Sequence, residues 1–505
     1  MRATSTRGKR GVRAVAAPEG PFVVGVDSST QSTKALVVDA ATGQVVAQGQ
    51  APHRVTPGPG HESDPEQWWE ALGAALAQCG GAAHQASAVS VGGQQHGLVT
   101  LDADGRPVRP ALLWNDVRSA PQRDRLVEEL GGPGEWAERI GSVPPPAFTV
   151  TKWAWLREHE PEAAAATAAV RLPHDYLTQR LTGEGTTDRG DASGTGWWSS
   201  RTESYDEGVL EHVGLSPALL PRVLGHGEAA GTVRPGLPLP AGALVATGTG
   251  DNMAAALGLG LRPGQPVLSL GTSGTVYAVS PHRPADPSGT VSGFADARTD
   301  WLPLACTLNC TLAVDRIATL LGLHREAVDP GGTVTMLPFL DGERTPQLPY
   351  ASGLLHGLRH DSTGGQVLQA AYDGAVFALL QALDKVLDDG PGGGSGAGSG
   401  DRTDAGGAGE QPLLLIGGGA KGAAWRDTVL RLSGRPVRVP RAQELVALGA
   451  AAQAAALLLG EDAAAVARRW NTTEGTAYEA VPRDDAALGR LEATLTGADT
   501  LLRRP

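Results

Sequence analysis

The sequence predicts an α/β protein of two lobes built on one plan, and three observations carry that prediction. The chain has 505 residues, more than a single hydrophobic core usually organises, so two domains of roughly 200–250 residues are expected. Hydrophobic residues make up 41% of it and aromatic residues only 4%, which points to α/β lobes with interiors of small and aliphatic side chains rather than rings. The pattern strand, Ser/Thr/Gly turn, strand in VVGVDSSTQSTKALVV also returns as VLSLGTSGTVYAVS at residues 267–280. Each half therefore opens with the same hairpin, as an internal duplication would produce.

Residues 1–20 carry Arg2, Arg7, Lys9, Arg10 and Arg13 without apolar periodicity and read as a dispensable disordered tail. From Phe22 a strand (22–27), a polar turn (Ser28 to Ser32), a second strand (33–39) and a third are expected. Asp64-Pro65-Glu66 then opens an amphipathic helix through WWEALGAALAQC, with Asp64 as N-cap, Pro65 at the first helical position and Glu66 favoured by the dipole. The strand SAVSVGG delivers Gln95-His96-Gly97, and the turn Gly248 to Asn252 opens the helix NMAAALGLG. A cut at about residue 261 gives a first domain at 21–261 and a second at 262–497. Within the second, Gly390 to Glu410 is a Gly/Ser-rich segment that cannot bury apolar surface and reads as a mobile loop. LLLIGGGAKG is a buried strand entering a Gly turn, followed by the helix AAWRDTVLRLSG, the strand RPVRVP and an Ala-rich helix from Leu445.

A formal charge of −12 argues against nucleic acid or an anionic membrane as partner, since both need basic patches, and no helix-turn-helix pattern is present. Without a membrane-length apolar run or a secretory signal, a cytoplasmic protein acting on small molecules is expected. Cys79, Cys306 and Cys310 offer one C-x3-C pair and no second pair at metal-ligand spacing, so reduced thiols are expected rather than a disulfide or a zinc site.

Two polar turns, Asp27 to Gln31 and Gly271 to Gly274, suit a nucleotide held between lobes, because backbone N–H groups and short hydroxyls can wrap phosphate oxygens. One such turn is unremarkable on its own; the pairing of two is the signal. Asp27 ends a buried strand, where a lone carboxylate is costly, so Mg2+ reached through water, or a set of donors, is expected beside it. Thr30, Gln31 and Ser32 complete that turn as phosphate ligands. Asp251 has two readings: an ordinary helix N-cap, or a base whose helix N-terminus keeps it ionised and aims it at a substrate hydroxyl. Gln95 and His96, at a strand end, can hydrogen-bond several hydroxyls of a polyol. Only five lysines occur, and Lys34 and Lys421 fall on the nucleotide segments.

Gly417 to Gly422 also satisfies G-x-G-x-x-G between a strand and a helix, with Glu444 about twenty residues on, which opens a dinucleotide-binding alternative. Against it, Pro440 ends the next strand before any acidic residue, and everything upstream goes unexplained. The better reading makes Gly418, Gly419, Ala420 and Lys421, with Gly271 and Thr272, the contacts for ATP.

Seven motifs in order, DSSTQSTK (27–34), LLWNDVRS (112–119), LPHDYLTQRLTGE (172–184), TDRGDASGT (187–195), GTGDNMAAALG, LPFLDGERTP (337–346) and LLLIGGGAKG, resemble the FGGY carbohydrate kinases. The resemblance implies two actin/hexokinase-like (ribonuclease H-like) ATPase domains with a cleft between them, and ATP with Mg2+ as the phosphoryl donor. It implies Asp251 as catalytic base, Asp27 at the Mg2+ and phosphates, and Gln95, His96, Asn115, Asp116, Asp251 and Asn252 around the sugar. LWND, DYL..RLTGE and DASGT are most similar to the members that phosphorylate D-xylulose. Members acting on glycerol carry Arg-Glu where Gln95-His96 stand. Ser29 departs from a frequent glycine and Gln95 from a frequent methionine, the second leaving ribulose or gluconate open as substrates. The implied chemistry is in-line transfer to the sugar's 5-hydroxyl with closure of the lobes, and a homodimer is the default assembly.

Overall fold

The computed structural model describes residues 20–55, 60–388 and 411–504. The basic tail, apart from Gly20, and the Gly/Ser segment 390–410 lie outside the described residues. The first sheet has seven strands, β1 (Phe22–Ser28), β2 (Ser32–Asp39), β3 (Val45–Pro52), β4 (Ala86–Gly93), β5 (Ala229–Thr232), β6 (Leu244–Ala246) and the short Thr249–Gly250, which pairs with the end of β4. The second is built from β7 (Pro266–Leu270), β8 (Gly274–Ala278), β9 (Val291–Ala295), β10 (Trp301–Thr307), β11 (Leu413–Ile416), β12 (Val437–Pro440) and β13 (Gly475–Tyr478).

The two sheets repeat one pattern of pairing. In the first, β3 pairs with β2 and β2 with β1 antiparallel, β4 lies parallel to β1, β6 lies parallel to β4, and β5 closes the edge antiparallel. In the second, β10, β8 and β7 repeat the antiparallel run, β11 and β12 the parallel pair, and β13 the antiparallel edge. β9 is an addition beyond β10. A shared order of connections across two lobes is what duplication leaves behind, and the parallel central strands are buried as such strands must be.

Five helices position the site: α1 (Pro65–Gln78), α2 (Pro173–Thr182), α3 (Asp251–Gly258), α4 (Ala423–Ser433) and α5 (Leu445–Leu459). In α1 the Asp64 carboxylate caps the Glu66 N–H, with Pro65 at the first turn. α5 follows β12 in sequence yet packs against β1, β4 and α3 of the first lobe. Small residues allow it: a Cβ at Gly449 would lie 1.8 Å from the Ala254 carbonyl oxygen, and one at Gly25 would lie 1.9 Å from that of Ala447. The long Ala run of α5 thus belongs to an interlobe seam of backbone against backbone, not to a core of the second lobe alone.

The interior differs from its expected composition in one respect. Aromatic residues are few, but Trp68, Trp136, Trp197, Trp198 and Trp425 are all fully buried, so the rings that exist anchor the cores they reach. All three cysteines are free thiols, with Cys79 and Cys310 buried. No single helix among the described residues is long and apolar enough to cross a membrane.

Candidate active site

A cleft of about 530 Å3 opens between the lobes. The first lobe contributes Asp27, Lys34, Asp251 and Asn252 to its wall; the second contributes Ser269, Tyr277, Gly417, Gly418, Ala420 and Lys421; and the segment Val439 to Val446 closes one side.

Asp27 stands near the end of β1, in register with Lys34 across the hairpin. The Lys34 ammonium does not bond to it; it donates to Glu444 Oε2 at 2.5 Å, joining residues from the two halves of the sequence. Asp27 Oδ1 is left buried without a partner. Burial raises its pKa to about 7, Lys34 opposing that rise while Asp251 and Glu444 add to it. An orphaned, buried carboxylate oxygen facing a cleft fits a metal ion or its bound water. No group of three or more His, Cys, Asp or Glu among the described residues forms a metal cage, so a cation here would draw most of its ligands from elsewhere, as Mg2+ on a nucleotide does.

Asp251 is the first residue of α3, and Gly250 occupies the N-cap position. Its Oδ1 accepts from the Asn252 backbone N–H at 2.8 Å and from Asn252 Nδ2 at 3.0 Å. The ordinary N-cap reading is therefore set aside. The expectation that the helix N-terminus keeps Asp251 ionised is also corrected. Burial, with Asp191 adding, outweighs the Asn252 donors and raises the carboxyl to about 7, although part of the residue still faces the cleft. A group poised near neutrality can accept a proton and release it again, which a strongly acidic carboxylate does poorly.

Asn252 Nδ2 also donates to Gln95 Oε1 at 2.9 Å, tying the strand-end pair to the aspartate. Gln95 Nε2 is buried without a partner. His96 has φ 64 and stacks on Phe148 with ring centroids 4.8 Å apart. Burial, with Lys152 and Arg344 contributing, lowers its pKa to about 3. The ring is therefore neutral, and Nδ1, 2.7 Å from the Gly194 carbonyl, carries the proton. His96 Nε2 remains an acceptor for a hydroxyl. Asn115 Oδ1 is a further buried oxygen without a partner.

The structure brings Asp27, Asp251, Asn252, Gly418, Ala420 and Lys421 onto one cavity wall, with Gln95 bonded to that group. Other candidates stand apart from the wall. Thr30 Oγ1 accepts from Trp114 Nε1, the Gln31 carbonyl accepts from the His53 N–H, and Ser32 Oγ accepts from Gln50. Asp116 is held by Arg118 and by the His61 N–H. The Gly271 carbonyl accepts from Thr311 Oγ1, and Thr272 is exposed. The three glycines of 417–419 separate by role. Gly417 has φ +84 against the Leu270 carbonyl, Gly419 is closed in by Leu270 and Thr311, and Gly418 has nothing within 4 Å of its Cβ position. Ser269, Tyr277 and Gln443 on the wall carried no signal in the sequence, because only the sheet register and the return of α5 bring them there.

Comparison with known proteins settles the family. Residues 22–258 match the N-terminal domain of the FGGY family of carbohydrate kinases, and residues 267–458 match its C-terminal domain. The chain belongs to the FGGY family of carbohydrate kinases. It is 72% identical over 492 residues to a xylulose kinase of Streptomyces coelicolor, covering 97% of this chain and 99% of that one. It is 32% identical to a xylulose kinase of Escherichia coli, covering 82% and 85%. In three dimensions it is similar to the xylulose kinase of Bifidobacterium adolescentis, with a TM-score of 0.80, 35% identity and coverage of 94% and 99%. The FGGY architecture is actin/hexokinase-like, and it removes the dinucleotide alternative: Glu444 pairs with Lys34, and Gly418 to Lys421 form a short 3-10 turn on the cleft wall.

Proposed function

We propose that this FGGY kinase transfers the γ-phosphoryl group of ATP to the 5-hydroxyl of D-xylulose, giving D-xylulose 5-phosphate and ADP in the cytoplasm. The observation that carries the proposal is the convergence of Asp27 and Asp251, two buried carboxylates from separate elements, on one interlobe cleft opposite a glycine turn. Relatives named xylulose kinase at up to 72% identity over nearly the whole chain support the choice of sugar.

Asp251 accepts the proton of the 5-hydroxyl as that oxygen attacks the γ-phosphorus and the bond to the bridging oxygen of ADP breaks. Asn252 holds Asp251 and Gln95 holds Asn252; both offer amide groups to the sugar hydroxyls, with His96 Nε2 as a further acceptor. Asp27 is the residue that would hold Mg2+ through water; the ion, when bound, offsets charge on the phosphate oxygens. Gly418, whose Cβ position is open, lets the nucleotide approach the backbone, and Ala420, Pro440 and Ala442 give the base an apolar surface. Closure of the lobes excludes water from the phosphoryl group. Thr30, Gln31, Ser32, Gly271 and Thr272 reach the phosphates in that closed state, and Asn115 reaches the sugar with its unpaired oxygen.

ADP release with Mg2+-ATP, measured against D-xylulose, D-ribulose, L-ribulose, gluconate and glycerol, tests the proposal. The highest kcat/KM is expected for D-xylulose. A higher value for another sugar would overturn the substrate and leave the family in place.

A further inference from the structure

Behind the turn that presents Asp251 lies a buried charged cluster that the reaction above does not use. His174, the second residue of α2, is fully buried, and so are Asp175 and Asp191, with Asp188 nearly so. His174 Nδ1 lies 2.7 Å from Asp191 Oδ2. Its Nε2 lies 3.2 Å from Asp175 Oδ1, a contact without the alignment of a hydrogen bond, and 3.8 Å from Asp188 Oδ1. A neutral imidazole has one N–H and one lone pair, so with carboxylate oxygens at both nitrogens one lone pair would face an anion. A ring protonated at both nitrogens removes that repulsion.

The cluster grips the Asp251 turn from beneath. Asp188 Oδ2 accepts from Thr249 Oγ1 at 2.7 Å. Gly248, at φ +75, packs so closely on the imidazole that a Cβ there would lie 2.7 Å from His174 Cδ2. Gln453 of α5 holds the Gly248 carbonyl at 3.2 Å. The charged groups facing His174 are thus Asp175 on its own helix and Asp188 and Asp191 on the segment below. Arg171 faces Asp175, and Asp191 is the group that adds to the raised proton affinity of Asp251.

We propose that His174 is a positioning residue held as an imidazolium, which fixes the Gly248–Gly250 turn through Asp188 and offsets the negative field that Asp191 casts on Asp251. The proposal rests on Asp251 as the base. The surrounding carboxylates raise His174 to about 9 against its burial, whereas His53, His96 and His226 are lowered; burial also raises Asp175, and Asp191 to about 7, with His174 opposing both rises.

The first test uses the unaltered enzyme. In 15N-histidine NMR one exchange-protected imidazolium should persist at pH 8, and a spectrum holding only neutral rings at that pH would overturn the proposal. The second test compares His174→Gln with His174→Lys. In His174→Gln the acid limb of the kcat–pH profile should move up by about one unit, with about fivefold lower kcat at pH 7 and the KM for ATP within twofold; His174→Lys should bring the limb back. A folded His174→Gln enzyme with the original limb would overturn the proposal. If His174→Gln does not fold, Thr249→Val should lower kcat without changing the KM for ATP, and unchanged kcat would overturn the grip on the turn. Failure of the base assignment is read separately, from full turnover by Asp251→Asn.

Discussion

In the first lobe the strand entering the hairpin turn carries Asp27, in register with Lys34; in the second the corresponding strand carries Ser269, in register with Thr275. The strand pairings around the two hairpins are the same, and the chemistry is not. One copy of the repeat keeps a buried acid and a lysine tied across the cleft to Glu444, while the other keeps hydroxyls and glycines. A repeated scaffold therefore supplied two walls, and the substitution of a few side chains made one wall ionic and the other a surface for close backbone approach.

That contrast can be broken at its strongest point. Asp27→Asn should lower kcat by about 10²–10³-fold, whereas Ser269→Ala should change it by less than about fivefold, as steady-state kinetics would show; comparable losses would mean that the two turns share the work. Next, kcat should fall about tenfold per pH unit below pH 7, because Asp251, raised to about 7 by burial, accepts a proton only in its ionised form. A flat profile down to pH 5 would contradict that assignment.

On the glycine wall, Gly418→Leu should raise the KM for ATP about tenfold and leave the melting temperature unchanged, since its Cβ position is open. Gly419→Leu should instead lower the melting temperature, because Leu270 and Thr311 already fill that space.

A smaller effect concerns stability. Asp27 has a folded pKa of about 7 against an ordinary value of 3.8, so its contribution to stability is full below about pH 4 and is lost as pH rises through 7. Asp27→Asn should therefore stabilise the inactive enzyme at pH 8, by on the order of 1–4 kcal/mol, with the gain absent at pH 4 in denaturant titrations. The smallest effect is expected at the interlobe pair. Lys34 and Glu444 are both partly exposed, so Glu444→Gln should cost about 0.5 kcal/mol or less.

Much of this was legible in the chain. The hairpins showed through alternation of apolar and polar residues around Ser/Thr/Gly turns, α1 through its Asp-Pro-Glu start, and the Asp251 turn through Gly-Thr-Gly before an apolar helix. The direction of the Asp251 shift was not legible, because local sequence displays the helix end and hides the burial that dominates. Nor was the seat of α5: its Ala run marks a close-packed helix, but only the glycines at 25 and 258, far away in sequence, show which surface it meets. Lys34 and Glu444, or His174 and Asp191, become neighbours through topology, and no local periodicity encodes such meetings.

The role of Asp251 as the base is tested by sugar-dependent ADP release in Asp251→Asn, measured beside its affinity for ATP by calorimetry. Turnover with D-xylulose is expected to fall by about 10²–10⁴-fold, with the ATP affinity within about threefold of the unaltered enzyme. Turnover within tenfold of the original would show that Asp251 is not the base.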